Sequence, residues 1–486
     1  MLVIFLIGLS QAAPREPCAT PLVLSQLREL GSGGAEPRPP SRGSSGEPDQ
    51  ERDAFGALNS YSSEHFVLRW GTSETVPEEQ VEVMLESLET AWQVQVVEMA
   101  HPTPQGAESY RFNVYVANTG VEGPWGPLGD YGAAGWFYPD DGEGYPFMVL
   151  ALETMADLDA GGLTGAHELY HAIQYASGRY REEAGAWLWE STATWVEAEV
   201  FPESTAYARF LYGYALLPHL PIDYYAPFKT GALDEYHSYG AFLFPRMLSE
   251  HVDDWSLIRD VWVDPEVESE DPLDAIALGL EARGRTLSEV FREFGWRSVA
   301  WDYEDGEAYA ANVMDIPIEF ESKNHRFTEE HTARGTLGWD RVPSDLLPGP
   351  MGTNLLRLEA PAGDVLYARV QTEEDDWISA DLVLESDGMV SIEPLLRSGN
   401  LLELDWPIDG SEERATLVVS ATDRTRDIDS RSSYFYQLTT DFPDAGLPED
   451  TGQESIRGCG CGSSSPRSDL SWLTLLGLSA LQARRR

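Results

Sequence analysis

The sequence His167-Glu168-Leu169-Tyr170-His171 is an HExxH run, and after eighteen intervening residues it is followed by Glu190 within a second helical pattern. Residues four apart share one face of a helix. His167 and His171 can therefore aim both imidazoles at one point, at the roughly 2.0–2.1 Å reach of a zinc–nitrogen bond. A catalytic zinc takes three protein ligands and keeps one position open for water. The third ligand must come from elsewhere in the chain, and Glu190 is the candidate. Glu168, beside the two histidines, can hold the water that such a metal activates.

The surrounding pattern favours a metal site over a solvated helix pair. Over residues 165–176, Leu169, Ala172, Ile173 and Ala176 form an apolar stripe; Thr164 reads as the N-cap and Gly178 as the stop. Over 187–200, Trp189, Ala193, Val196 and Val200 form a second stripe, while Glu190, Thr194 and Glu197 share a different face and Pro202 ends the run. Carboxylates on an otherwise apolar, aromatic helix are costly unless paired or bound to metal. Glu197, two turns beyond Glu190, either orients a ligand from behind or is an exposed helix residue.

HELYH, the gap, and then Trp187-Leu188-Trp189-Glu190 leading into a small-residue helix resemble the gluzincin clan of zinc peptidases, most of all its aminopeptidases. The likeness covers about forty residues. It implies Zn2+ held by His167, His171 and Glu190, with Glu168 as general base and acid. The resemblance also implies an α+β zincin-like fold: a small sheet, the zinc helix and a helical lower lobe. One departure bears on activity. Aminopeptidases of this clan carry a Gly-x-Met-Glu-Asn strand before the zinc helix, whose Glu holds the substrate's free amine; residues 144–153, GYPFMVLALE, read as a strand without it. As an edge strand this segment could still pair with an extended substrate backbone, which suits an endopeptidase better. In the same family a Tyr three residues before a Gly stabilises the oxyanion. Here His237 stands three before Gly240, and Tyr239 and Tyr236 adjoin it, so His237 and Tyr239 are both candidate donors.

Charge narrows the partners. With 33 Lys and Arg against 82 Asp and Glu, the net charge is −49. Acidic residues run along the whole chain, an arrangement that repels nucleic-acid phosphates and supports solubility. Cysteine is confined to Cys18, Cys459 and Cys461, so no disulfide framework holds the body of the chain. Residues 1–13 are apolar and end in Ser10-Gln11-Ala12-Ala13, like a secretory signal peptide. Cys18 follows, and a free thiol in a pro-segment could cap a zinc, though only the affinity of thiols for zinc speaks for it at this level. At the other end, Gly458-Cys459-Gly460-Cys461-Gly462, an apolar run at 470–481 and Arg484-Arg485-Arg486 resemble the Myxo-CTERM sorting tags of exported myxobacterial proteins. That run is short for a membrane span. The resemblance implies a tail processed by sorting machinery, with transient membrane contact through the terminal segments and display at the cell surface.

The chain divides accordingly. Residues 14–54, rich in Gly, Pro, Ser and charge from 31 to 53, read as a disordered linker or pro-segment, with order beginning near Ala54. Residues 55–322 carry the zincin-like pattern. Over 325–440, short alternating runs separated by Gly, Pro and Asp read as an accessory β-sandwich, and 441–486 as linker and tail. The expected function is an exported zinc endopeptidase acting on proteins or peptides. An aminopeptidase, or a surface binding protein with an inactive zincin domain, are the alternatives.

Overall fold

Along the strand Pro146–Leu150, Phe147 and Val149 enter one apolar cluster while Met148 and Leu150 enter another. That period of two, with both faces covered, is what an interior strand requires. The computed structural model describes residues 16–18, 20 and 52–441, apart from breaks at 124–125, 141–143, 181–184, 227–231, 333, 337, 360–364, 374–376, 387–388, 409–413 and 425–428. In chain order the first sheet holds β1 (Glu16–Cys18), β2 (Asn59–Ser62), β3 (Phe66–Trp70), β4 (Phe112–Val116), β5 (Ala133–Pro139) and β6 (Pro146–Leu150). Across the sheet the order is β1-β5-β6-β4-β3-β2. β1 runs parallel to β5, and β6, β4 and β3 run parallel to one another; β5–β6 and β2–β3 are antiparallel.

Two helices, α1 (Glu78–Trp92) and α2 (Leu158–Ser177), cover the Met148 side. Phe55 and Ala57 cover the other, against Trp136 and Tyr138. A third helix, α3 (Ala186–Val200), lies against α2. α2 is longer than its apolar stripe foretells. It starts at Leu158, where the Asp157 carboxylate accepts from the Ala160 amide at 3.2 Å. Thr164 is not the N-cap: it lies inside the helix, its hydroxyl donating to the Ala160 carbonyl at 2.8 Å. Gly161 and Gly162 lie inside the helix, ahead of the expected cap. In the fold they allow close packing, because a Cβ on Gly161 would meet Met84 Cε and the Thr154 carbonyl, both at 2.9 Å. The helix does end at Gly178, left-handed at φ 77°.

Two expectations about the sheet are overturned. The segment 144–153 does not supply an edge: its strand, β6, is hydrogen-bonded on both sides, to β5 and β4. The outward strand is β5, and β1 lies along it. Nor does order begin at Ala54, since β1 comes from within the stretch 14–54; the composition that suggested disorder belongs to 31–53. Gly135 of β5 faces α2, and a Cβ there would meet Thr164 Cγ2 at 2.8 Å and Glu168 Cγ at 3.1 Å. Gly135→Val is therefore expected to destabilise by about 1–3 kcal/mol through overpacking. The check is a lower urea midpoint at unchanged slope; an unshifted midpoint would mean that α2 does not press on β5 as described.

Helices α4 (Leu243–His251), α5 (Ser256–Val263), α6 (Pro272–Ala282) and α7 (Leu287–Ala300) lead into a β-rich C-terminal region. Its strands are β7 (Glu329–Thr332), β8 (Asp340–Arg341), β9 (Thr353–Glu359), β10 (Val365–Thr372), β11 (Ile378–Ser386), β12 (Met389–Pro394), β13 (Leu396–Ser398), β14 (Leu401–Pro407), β15 (Arg414–Ala421) and β16 (Tyr434–Thr439). They form two sheets, β8-β16-β10-β14-β13 and β12-β11-β15-β9-β7. Leu358, Leu366, Val370, Leu382, Leu417 and Tyr436 belong to one apolar core that both sheets share. α7 lies on the second sheet, with Val299 packed on Leu355, Val383 and Val418, and Arg292 clasping the Asp381 carboxylate (Nε–Oδ2 2.7 Å). The fold is thus mixed α/β, with helices followed by a β-rich region.

The expected signal peptide at 1–13, the Cys459 and Cys461 motif, the run 470–481 and the terminal arginines lie outside the described residues. Among the described residues, no helix is long and apolar enough to cross a membrane.

Candidate metal centre

α3 shows why the sequence placed carboxylates on an apolar helix. It has no solvent face: Trp187, Trp189 and Trp195 are buried, and so are Glu190, Thr194 and Glu197. Packed against α2, it delivers Glu190 to the two histidines. His167 Nε2 lies 3.4 Å and His171 Nε2 3.6 Å from Glu190 Oε2. Two donors each about 2.05 Å from a common ion at the tetrahedral angle stand roughly 3.4 Å apart, so the spacing suits a small cation. His167 Nε2 and Glu190 Oε2 have no hydrogen-bond partner, although both are buried. Orphaned polar atoms in such a setting are costly unless something else satisfies them. A metal ion held among them would do so.

The other nitrogen of each imidazole is committed. His167 Nδ1 donates to Glu197 Oε1 at 2.9 Å, and Arg209 donates to the second oxygen of Glu197 at 3.2 Å. His171 Nδ1 donates to Gln174 Oε1 at 2.7 Å; the Gln174 amide in turn donates to the Trp189 carbonyl and Thr192 Oγ1, both at 3.0 Å, which fixes its orientation. With Nδ1 as donor, each Nε2 presents a lone pair to the cluster. Glu197 thus fixes the His167 ring and is not an exposed helix residue. Gln174 was not singled out from the sequence, although its position three after His171 on the same helix could have suggested it.

The electrostatics call for positive charge. Burial alone would lower His167, but the neighbouring carboxylates of Glu190 and Glu197 outweigh it and lift the group to about 10. Burial alone would raise Glu190, but His171 and His167 outweigh it and hold the carboxyl at about 2. Glu168 is pushed up, chiefly by burial. Its Oε2 accepts from Thr20 Oγ1 at 3.1 Å, and its Oε1 is without a partner.

The two candidate oxyanion donors separate. Tyr239, on the helical turn His237–Gly240, is brought to the cluster: its ring lies along His167 with centroids 6.2 Å apart, and its hydroxyl donates to the Cys18 carbonyl at 3.4 Å. His237 is not. Its ring packs between Tyr214 and Tyr224, and burial drives it down to about 3. One residue of helical rotation sends neighbouring side chains in different directions, and spacing to Gly240 could not choose between them. Tyr236 stacks on Phe210, centroids 5.1 Å apart.

One further donor joins the group. Cys18 Sγ lies 3.6 Å from His171 Nε2, and the donor atoms of Cys18, His167, His171 and Glu190 all fall within 4.8 Å of one another.

A family model described as a family of unknown function, DUF6055, matches residues 39–375, well over half of the chain. The chain belongs to the DUF6055 family. The DUF6055 match takes in the three helix-borne donors and Glu168, ends within the C-terminal sheets, and begins after Cys18 and Thr20. No curated protein matches the chain. Among solved structures, it is similar to a pre-peptidase C-terminal domain of collagenase from Bacillus anthracis, at 13% identity over 23% of this chain and 96% of that one, with a TM-score of 0.19. A likeness that low carries no argument.

Because Glu197 acts only through His167, Glu197→Ala is expected to weaken metal binding by about 10–100-fold without abolishing it. Competition with a chromophoric chelator measures this; unchanged affinity would mean that Glu197 does not set the orientation of His167.

Proposed function

We propose that this protein is an exported zinc-dependent endopeptidase, with a zincin-like catalytic half and a C-terminal β-sandwich as accessory domain. One observation carries the reading: His167 Nε2, His171 Nε2 and Glu190 Oε2 converge, His167 Nε2 and Glu190 Oε2 without hydrogen-bond partners, and Glu168 stands beside them with an unpartnered Oε1. His167, His171 and Glu190 would hold the metal. When bound, it would activate a water and polarise the scissile carbonyl. Glu168 Oε1 takes the proton of the attacking water and later returns it to the leaving amine. The Tyr239 hydroxyl donates to the carbonyl oxygen as negative charge grows there. An extended substrate pairs its backbone with the outward edge of β5 at Ala133–Gly135, in the manner of an added strand. Export and surface display rest on the apolar start of the chain and on the Cys-motif, apolar and basic sequence at its end.

The deciding experiment is paired: zinc content of the purified full chain, and its hydrolysis of casein into internal fragments, with Glu168→Gln alongside. One zinc per chain and cleavage dependent on Glu168 support the reading. A chain that takes up no zinc overturns it.

A further inference from the structure

We infer that the N-terminal segment holding Glu16–Cys18 and Thr20 is a built-in inhibitor of this site, with the Cys18 thiolate as fourth ligand of the metal. Four independent contacts by these few residues meet four different parts of the site. Cys18 Sγ lies 3.6 Å from His171 Nε2. A sulfur at about 2.3 Å and a nitrogen at about 2.05 Å from one tetrahedral ion stand roughly 3.6 Å apart. The Cys18 carbonyl accepts from the Tyr239 hydroxyl at 3.4 Å, taking the donor assigned to the scissile carbonyl. Thr20 Oγ1 donates to Glu168 Oε2 at 3.1 Å and itself accepts from the Phe137 amide at 2.8 Å, so the general base is tied to the segment. The backbone of β1 runs along β5 in the register Glu16↔Ala133 and Cys18↔Gly135, on the edge an extended substrate needs.

Packing alone would not require these contacts. A strand added only for stability has no need to aim a thiol at two imidazoles and a carboxylate. Cys18 and Thr20 are themselves buried, at 6% and 1% exposure, so both side chains sit inside the site rather than at its rim. On ligation the thiol proton leaves to solvent and the thiolate fills the position that water must occupy for hydrolysis. Activity then requires the segment to withdraw, freeing the fourth position, Glu168 and the β5 edge together. The ligation rests on the donor cluster alone; what is inhibited rests on the peptidase reading above.

The test uses the full chain and Cys18→Ser, each loaded with cobalt(II) in place of zinc, with casein hydrolysis followed on the zinc forms. The expected result has four parts. The unaltered chain shows a thiolate-to-cobalt charge-transfer band in the near ultraviolet. Its cobalt spectrum does not respond to an added hydroxamate. Cys18→Ser keeps one metal per chain, loses the band and responds to hydroxamate through its opened position. Casein hydrolysis by the zinc form rises on the same substitution. If the unaltered chain lacks the band, Cys18 is not a ligand and the inference is overturned, while casein cleavage by that chain would leave the peptidase reading standing. If Cys18→Ser loses its metal as fully as Glu190→Ala, the cysteine belongs to a closed structural site and inhibition is overturned. If the band and the hydroxamate response behave as expected but neither protein cleaves casein, the ligation holds and the peptidase reading fails.

Discussion

Glu168→Gln is expected to lower casein hydrolysis by about 10²–10⁴-fold, the usual contribution of a general base, while leaving one metal per chain. The measurement is made both in the intact chain and in the Cys18→Ser background, where the fourth position is open. The expectation follows from where Glu168 stands. Its neighbours on α2, His167 and His171, point their Nε2 atoms at Glu190, and the ligand distances do not involve Glu168. Glutamine keeps the shape and can still accept from Thr20, so the fold has no reason to change. What it lacks is a second oxygen able to take a proton. Full activity in the variant would show that the free Oε1 is not the proton acceptor. Loss of metal along with activity would show that Glu168 belongs to the ligand set.

The second large effect is on the metal itself. Glu190→Ala is expected to abolish stoichiometric zinc binding, a deeper loss than the Glu197→Ala change produces. Glu190 Oε2 closes on both Nε2 positions, and neither other carboxylate of α3 can replace it, since Glu197 is held behind His167 by its bond to Nδ1 and Glu199 is paired with Arg246. Thermal unfolding gives the readout. A ligand that binds only the folded state stabilises it by about 2.7 kcal/mol at a hundred times its dissociation constant. Added zinc should raise the midpoint of the unaltered, metal-stripped chain and leave that of Glu190→Ala unmoved. A variant that still holds one zinc after dialysis against a weak chelator would remove Glu190 from the ligand set.

Much of this site was legible from residue order because its chemistry is local. Spacing of four on a helix fixes His167 and His171 relative to each other, and tryptophans around a carboxylate mark Glu190 as buried for a reason. The region 325–440 was legible for a similar cause: alternation in 354–358, 365–370 and 415–419 is a property of single strands, and each proved to be one. What the sequence hid depends on pairing across distance. The helix start ahead of Thr164 is hidden until Met84 is known to lie against Gly161. Residues 144–153 look like an edge until β5 is seen to pair outside them. His237 and Tyr239 are indistinguishable until the turn that carries them is oriented. Cys18 is the extreme case: its nearest ligand partner is 153 positions away, and nothing in the residues around it specifies that distance.

The docking of α7 on the C-terminal sheet has a practical side. Val299 shares its contacts with Leu355, Val383 and Val418, and Arg292 reaches across to Asp381. One side of that helix packs on residues that come later in the chain, while Phe291 and Phe294 on its other side pack on the earlier Phe244, and the described residues fall in one compact unit. A shortened version ending near residue 322 would keep every metal donor and yet leave a greasy strip and an unpaired guanidinium facing water. The β-rich half is thus part of the container in which the donors are held, and trimming it away removes a wall.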